Sequence, residues 1–362
     1  MGVSKYRKYW KYVLLGIVFV FLSVFLAPRI YFNYPGKLMV SANQGEDVNY
    51  SFKVIADNLD TPWAIDFLPD GTMIFTERPG RVNLLLSGKV VTVANISVDE
   101  RGESGLMGLA VDPDFSQTKQ IYVYYTYSQA NRVSKFTLVN NSLMNETILL
   151  DNIPRARFHD GGRLEFGPDD KLYITTGDAT LPSSAQDLDS LAGKILRMNK
   201  DGSIPLDNPF SSLVYSYGHR NPQGLTWDDR GELYSTEHGP TRNDEFNQIV
   251  KGGNYGWPQE CTEKGKFINP LRCFTEFTLA PGGLVFHQGD FFVAGLRGNQ
   301  LRRLVWNPSN SSISYEQKLF ADLGRIREVT AYQGFLYVAT SNYDGRGIPQ
   351  YEDDKIMRVQ LK

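Results

Sequence analysis

Tyr217 to Trp257 reads YGHRNPQGLTWDDRGELYSTEHGPTRNDEFNQIVKGGNYGW, and the unit at its centre decides the fold. A tight turn, Asp229-Arg230-Gly231, runs directly into an alternating strand, ELYSTEH. Turn residues followed by period-two alternation mark a strand with one buried face. The same unit recurs along the chain. Pro69-Asp70-Gly71 precedes TMIFTER, and Pro113-Asp114 precedes QIYVYYTY after a short loop. Pro168-Asp169-Asp170 precedes KLYITTGD, Gln288-Gly289 precedes DFFVAGL, and Gln333-Gly334 precedes FLYVATSN. Most copies are followed by a second strand such as RVNLLL, SKFTLV, KILRMN, QLRRLVW or KIMRVQL. The spacing of roughly 45–60 residues is a propeller-blade period. Six copies predict an all-β, six-bladed β-propeller over residues 51–362, with four strands per blade. The early strand Ser51–Ala56 is placed to pair with the last strand, Lys355–Leu361, and close the ring, which removes the exposed edges.

Composition agrees. The 20 Tyr, 21 Phe and 33 Gly suit many short strands joined by tight turns. A formal net charge of −2 gives no basic excess for nucleic acid. Ahead of the propeller, Lys5, Arg7, Lys8 and Lys11 precede the uncharged run Tyr12–Pro28, which sits at the short edge of what spans a bilayer. Residues 1–28 therefore read as a basic cytoplasmic tail and a single transmembrane anchor, with a cleaved signal peptide as the rival reading. Residues 29–50 read as a linker. Either way the propeller is expected outside the cytoplasm, held at the cell membrane or secreted. Cys261 and Cys273, the only two cysteines, suit a disulfide in that setting, or else two free thiols. Sequons at Asn49, Asn95, Asn140, Asn145 and Asn310 permit glycosylation.

In a propeller, polar residues just after each turn-strand unit gather at one rim of the axis. That rule groups Glu77, Thr176-Gly177-Asp178, Glu237-His238-Gly239-Pro240 and Arg297. His159, flanked by glycines in RFHDGGR, is either a general base or a structural histidine tying down a loop. Arg220 and Asn221 offer a fixed cation and an amide. Gly239-Pro240 and the nearby Asp244 and Glu245 offer hard oxygens suited to Ca²⁺, or simply form an acidic loop. Arg325 and Arg327 share one side of an extended segment. With Arg220 and Arg297 they make a cationic funnel, which implies a ligand bearing several carboxylates or phosphates.

The blocks HDGGRLEFGPDDKLYITTGD, YGHRNPQGL, EHGPTRNDEFNQIVKGGNYGWP, TLAPGG, GLRG and GRIRE occur here in order. In them the sequence resembles the soluble, calcium-dependent quinoprotein sugar dehydrogenases. That is the glucose, aldose and sorbosone dehydrogenase family that uses pyrroloquinoline quinone (PQQ). The resemblance runs from about Ser51 to Leu361. It implies His159 as the base for the sugar C1 hydroxyl, with hydride passing to the quinone and a lactone as product. It implies Arg220 beside the reactive quinone carbonyl, Asn221 as a cofactor-binding amide, and Asp244 as a carboxylate near cofactor and base. It implies Thr278, Arg297, Arg325 and Arg327 on the cofactor carboxylates, Gly239 and Pro240 as main-chain ligands of one Ca²⁺, and Glu245 and Tyr255 in a second Ca²⁺ site.

Three positions depart from the glucose-specific branch. His238, beside the cofactor site, stands where that branch has Gln. Arg297 stands where it has Lys, and Glu103 stands where a sugar-contacting Gln is common. These favour the broader aldose branch, with electrons passing to a membrane quinone or redox carrier. Two other functions fit the scaffold: a non-catalytic extracellular ligand-binding propeller, or a calcium-dependent lactonase-type hydrolase.

Overall fold

The computed structural model describes residues 50–259 and 265–361. They form six four-stranded antiparallel sheets. Blades 1 to 5 are consecutive in the chain, at 62–95, 106–154, 164–217, 222–274 and 281–319. Blade 6 is composite: three strands from 326–361 take Tyr50–Ala56 as their outermost member. Phe52 lies opposite Val359, and Tyr50 opposite Leu361. The expected closure is therefore present and begins one residue earlier than expected, at Tyr50.

The turn-strand unit is the second strand of each blade. Its turn demands a left-handed residue, and Gly231 supplies one at φ 79°. The third copy has no glycine there; Asp170 takes the conformation at φ 61°, which Asp tolerates better than most residues. These second strands are almost wholly buried, as in Leu172–Thr176 and Leu233–Glu237. Neighbouring blades pack through aromatic rings. Tyr234 of blade 4 lies 4.6 Å from Phe291 of blade 5, which lies 5.3 Å edge-on from Trp306. No helical layer interrupts the blades: the one α-helix among the described residues, Phe115–Thr118, has four residues.

The first strands of the blades touch one another in a ring around the axis. One ion pair ties that ring across blades: Arg163 Nη1 sits 2.6 Å from Glu328, both side chains buried, with the guanidinium 4.6 Å over the Trp63 ring. Two kinds of segment share one rim of the funnel. One leads into each first strand and the other follows each second strand, and the site is built where they meet.

The chain's N-terminal segment, including Tyr12–Pro28, lies outside the described residues. Among the described residues no helix is long and apolar enough to cross a membrane. Cys261 also lies outside them, so its pairing with Cys273 rests on the sequence. Of the sequons, Asn49 lies outside, while Asn95, Asn140, Asn145 and Asn310 are exposed.

Candidate active site

His159 lies on the segment leading into blade 3, in a left-handed conformation at φ 66°. Its Nδ1 is 2.7 Å from Asp178 Oδ1. Asp178 follows the second strand of the same blade and is fully buried. A carboxylate at Nδ1 fixes the tautomer that carries its proton there, which leaves Nε2 as the free lone pair. The second Asp178 oxygen accepts the Trp257 indole N–H at 2.8 Å. The loop itself is anchored by Asp160. That buried carboxylate accepts bonds from Ser104, Asn131 and the Ala156 N–H, and burial pushes its carboxyl up to about 6.

His159 faces a cavity of about 380 Å³, whose wall includes Glu103, Arg220, His238, Arg297, Arg325 and Arg346. Asn221 sits beneath, fully buried, accepting the Gly161 N–H at 3.0 Å. Arg220 donates to the His238 carbonyl at 3.2 Å and lies 5.2 Å over the Trp257 ring. It makes no ion pair among the described residues, and its buried Nε has no partner there. Burial weakens its hold on the proton, which nearby Asp178 and Glu103 partly restore. Arg325 is paired with Asp344 at 2.7 Å. Arg297 projects, exposed, from the loop after blade 5's second strand.

Glu103 bridges His159 and Arg346 across the cavity wall. One oxygen accepts the His159 N–H at 3.0 Å and approaches Asn221 Nδ2 at 3.4 Å; the other meets Arg346 at 3.0 Å. Burial favours its neutral acid, but the His159 N–H and the Arg346 guanidinium oppose that, and the carboxyl is held below its ordinary range. His238 is fixed by its Nε2 on the Pro281 carbonyl at 2.8 Å, and burial disfavours its charged form.

The side chains of four expected residues are engaged as follows. Asp244 reaches the wall, but its oxygens accept the N–H groups of Gly239, Leu279 and Ala280 at 2.9, 2.6 and 2.9 Å. It is a strut between blades 4 and 5. Arg327 does not line the cavity: it is buried beneath it against Gln223 and Trp63, and burial lowers its guanidinium to about 9. Thr278 lines the cavity with its hydroxyl turned to the Thr241 carbonyl. The Tyr255 hydroxyl is spent on the Gln248 carbonyl and the Val250 N–H.

Behind the cavity a second, smaller pocket is lined by Glu237, Gly239, Pro240, Glu245 and Tyr255. Glu237 and Glu245 are register partners on adjacent strands. Burial, with Glu237 close by, pushes the Glu245 carboxyl well up. Among the described residues no group of three or more His, Cys, Asp or Glu is placed to hold a metal, so a cation here would rely on carbonyl oxygens as well.

Asp178, Trp257 and Arg346 carry much of this geometry, and the sequence assigns none of them a role. The rim rule reaches all but Trp257. Applied to the sixth copy, it points at Asp344 and Arg346, directly after FLYVATSN.

The family profile described as Glucose / Sorbosone dehydrogenase matches residues 59–350. The chain belongs to the glucose/sorbosone dehydrogenase family. It is accordingly an oxidoreductase of the sugar-dehydrogenase type, on a six-bladed propeller. The PQQ-bound aldose sugar dehydrogenase of Streptomyces coelicolor superposes with a TM-score of 0.82 at 35% identity, over 87% of this chain and 99% of that one. An oxidoreductase (glucose dehydrogenase) of Thermus thermophilus gives 0.84 at 42% identity, over 86% and 100%. An aldose sugar dehydrogenase of Escherichia coli is 30% identical over 89% of this chain and 96% of its own.

Proposed function

We propose that this family member oxidises an aldose at C1 to its lactone, with PQQ and Ca²⁺ as cofactors. The carrying observation is His159: its Nδ1 is committed to buried Asp178, and it faces a cavity walled by arginines, one with an orphaned Nε. The residues fit a tricarboxylate quinone, because Arg220 and Arg297 bring positive charge that no side-chain carboxylate among the described residues neutralises by pairing, unlike Arg325 and Arg346. They also fit a cation near Gly239 and Pro240, backed by Glu237 and Glu245. Bound there, the quinone would supply the two-electron oxidant that takes the C1 hydride, with Ca²⁺ polarising it as a Lewis acid.

The chain's own residues do the rest. His159 Nε2 takes the proton of the C1 hydroxyl as the C1–H bond breaks. Asp178 keeps the ring oriented and stabilises the imidazolium that forms. Arg220, already desolvated, faces negative charge as it develops without reorganising. Glu103 and Arg346 offer an acceptor and a donor to the remaining sugar hydroxyls.

The N-terminal segment would anchor the propeller outside the cytoplasm and near a membrane quinone or redox carrier, with the Cys261–Cys273 disulfide formed there. Reconstitution with PQQ and Ca²⁺, followed by aldose-dependent dye reduction, tests the reading. Activity lost in His159→Ala is expected. No activity with any aldose, or full activity in that variant, would overturn it.

A further inference from the structure

Trp257 touches both halves of this site. Its indole N–H donates to Asp178 Oδ2 at 2.8 Å, and Asp178 holds His159 Nδ1 at 2.7 Å. Its ring face lies 5.2 Å from the Arg220 guanidinium. The base is thus connected to the charge-stabilising arginine through a single rigid residue. The rigidity has visible causes. The Trp257 backbone N–H donates to the Gly218 carbonyl at 2.9 Å, and its own carbonyl accepts Gln186 Nε2 at 2.6 Å. Gln186 is in turn doubly bonded to Asn254, at 3.0 and 2.9 Å. The loops of blades 3 and 4 therefore clamp the residue on both sides.

Asp178 depends on that clamp. Its Oδ1 accepts His159 and the Thr180 N–H, so the Trp257 N–H is the only bond recorded at Oδ2 among the described residues. Without it, a fully buried carboxylate oxygen lacks a partner, and the carboxylate is free to rotate away from the imidazole. Arg220 depends on the ring. Among the described residues it has no ion pair and its Nε is orphaned, so the indole face and the His238 carbonyl are the groups that fix the guanidinium plane.

We propose that Trp257 is a positioning residue with two separable tasks: its N–H holds Asp178, and so the tautomer of His159, while its ring face seats Arg220 for the cofactor. The kinetic arm rests on the sugar-oxidation reading; the tautomer arm does not.

Three variants separate the tasks. Trp257→Phe keeps a ring and removes the N–H. Trp257→Leu removes both. Trp257→Gln offers an N–H without a ring face. The first measurement is the downfield imidazole N–H resonance of His159 in cofactor-free protein, assigned by its loss in His159→Gln. It is expected in the wild type, broadened away in the Phe and Leu variants, and restored in Gln. In PQQ- and Ca²⁺-loaded protein, Phe should lower kcat by ~10- to 100-fold with PQQ Kd unchanged. Leu and Gln should weaken PQQ binding by about 5-fold through Arg220. Phe retaining both the wild-type resonance and kcat would overturn the proposal, as would Phe loosening PQQ as much as Leu. A variant that fails to fold, seen by far-UV circular dichroism, passes the decision to the other two. Wild-type protein inactive on every aldose would sink the sugar-oxidation reading, while the resonances still decide this one.

Discussion

Asp178 shows how a site residue escapes linear reading. In the sequence it ends KLYITTGD, where its place after a turn-strand unit groups it with the rim residues but assigns it no task. Its role comes from the 2.7 Å contact to His159, nineteen residues earlier, and from full burial. His159 itself was legible because glycines flank it and because the family resemblance assigns it the role of base. Exchanging Asp178 for Asn keeps the shape but offers an amide N–H where only an acceptor serves. By analogy with serine-protease triads, Asp178→Asn is expected to lower kcat by ~10²- to 10⁴-fold with little change in sugar KM. Steady-state kinetics of the reconstituted enzyme check this; a variant within twofold of wild type would show that the tautomer is fixed by other means. Asp244 gives the opposite lesson. The sequence places it near the cofactor; in the fold it reaches the cavity wall, but its charge is consumed by three backbone N–H groups. Asp244→Ala strands those donors at the junction of two rim loops. A loss of ~3 kcal/mol or more in unfolding free energy is expected, together with weaker PQQ binding, measured by denaturant titration and absorbance titration.

At the level of elements, the repeat was legible because the physics of each unit is local. A left-handed turn residue, a short alternating strand and a second strand need no distant partner to be recognised. Ring closure needed one further step, namely asking what covers the last edge, and Tyr50–Ala56 supplies the answer. What remained illegible was which rim residues converge, because convergence depends on the angular position of each blade. The Arg346–Glu103 pair joins positions 243 residues apart. The closing strand also makes a sharp stability prediction. Tyr50 packs 4.4 Å from the Phe320 ring, and Phe52 lies 5.8 Å from the same ring. Tyr50→Ala should cost about 3 kcal/mol. Deleting the chain through residue 56 should do far more, since it exposes a bare strand edge in blade 6. Thermal unfolding of the chain begun at residue 50 against one begun at residue 57 reads this directly, and equal midpoints would mean that the ring does not depend on its closing strand.

For the molecule as a whole, the axis carries a charge problem that the net charge of −2 conceals. Asp66, Glu165 and Glu328 lie on the first strands of blades 1, 3 and 6, with Arg163 paired to Glu328. Burial, opposed by Arg163 and reinforced by Asp66 and Glu328, pushes the Glu165 carboxyl up to about 8. Burial likewise raises Asp66 to about 6, against the N–H bonds from Val111 and Phe67. The sign follows from linkage. A carboxyl whose folded pKa is raised binds its proton more tightly in the fold than in the unfolded chain. Its contribution is complete below the ordinary carboxylate value of 4.5, and is lost as pH climbs through about 8. The propeller should therefore lose stability steadily as pH rises from about 5 to about 8, an interval in which most proteins are near their optimum. Glu165→Gln removes the titration while keeping the side-chain volume. Its thermal midpoint should match wild type near pH 5 and exceed it by a few degrees at pH 9. The gap should open across the interval from about pH 5 to pH 8. Differential scanning calorimetry over that range decides the matter: parallel curves for the two proteins would mean that Glu165 is solvated well enough to stay ionised throughout.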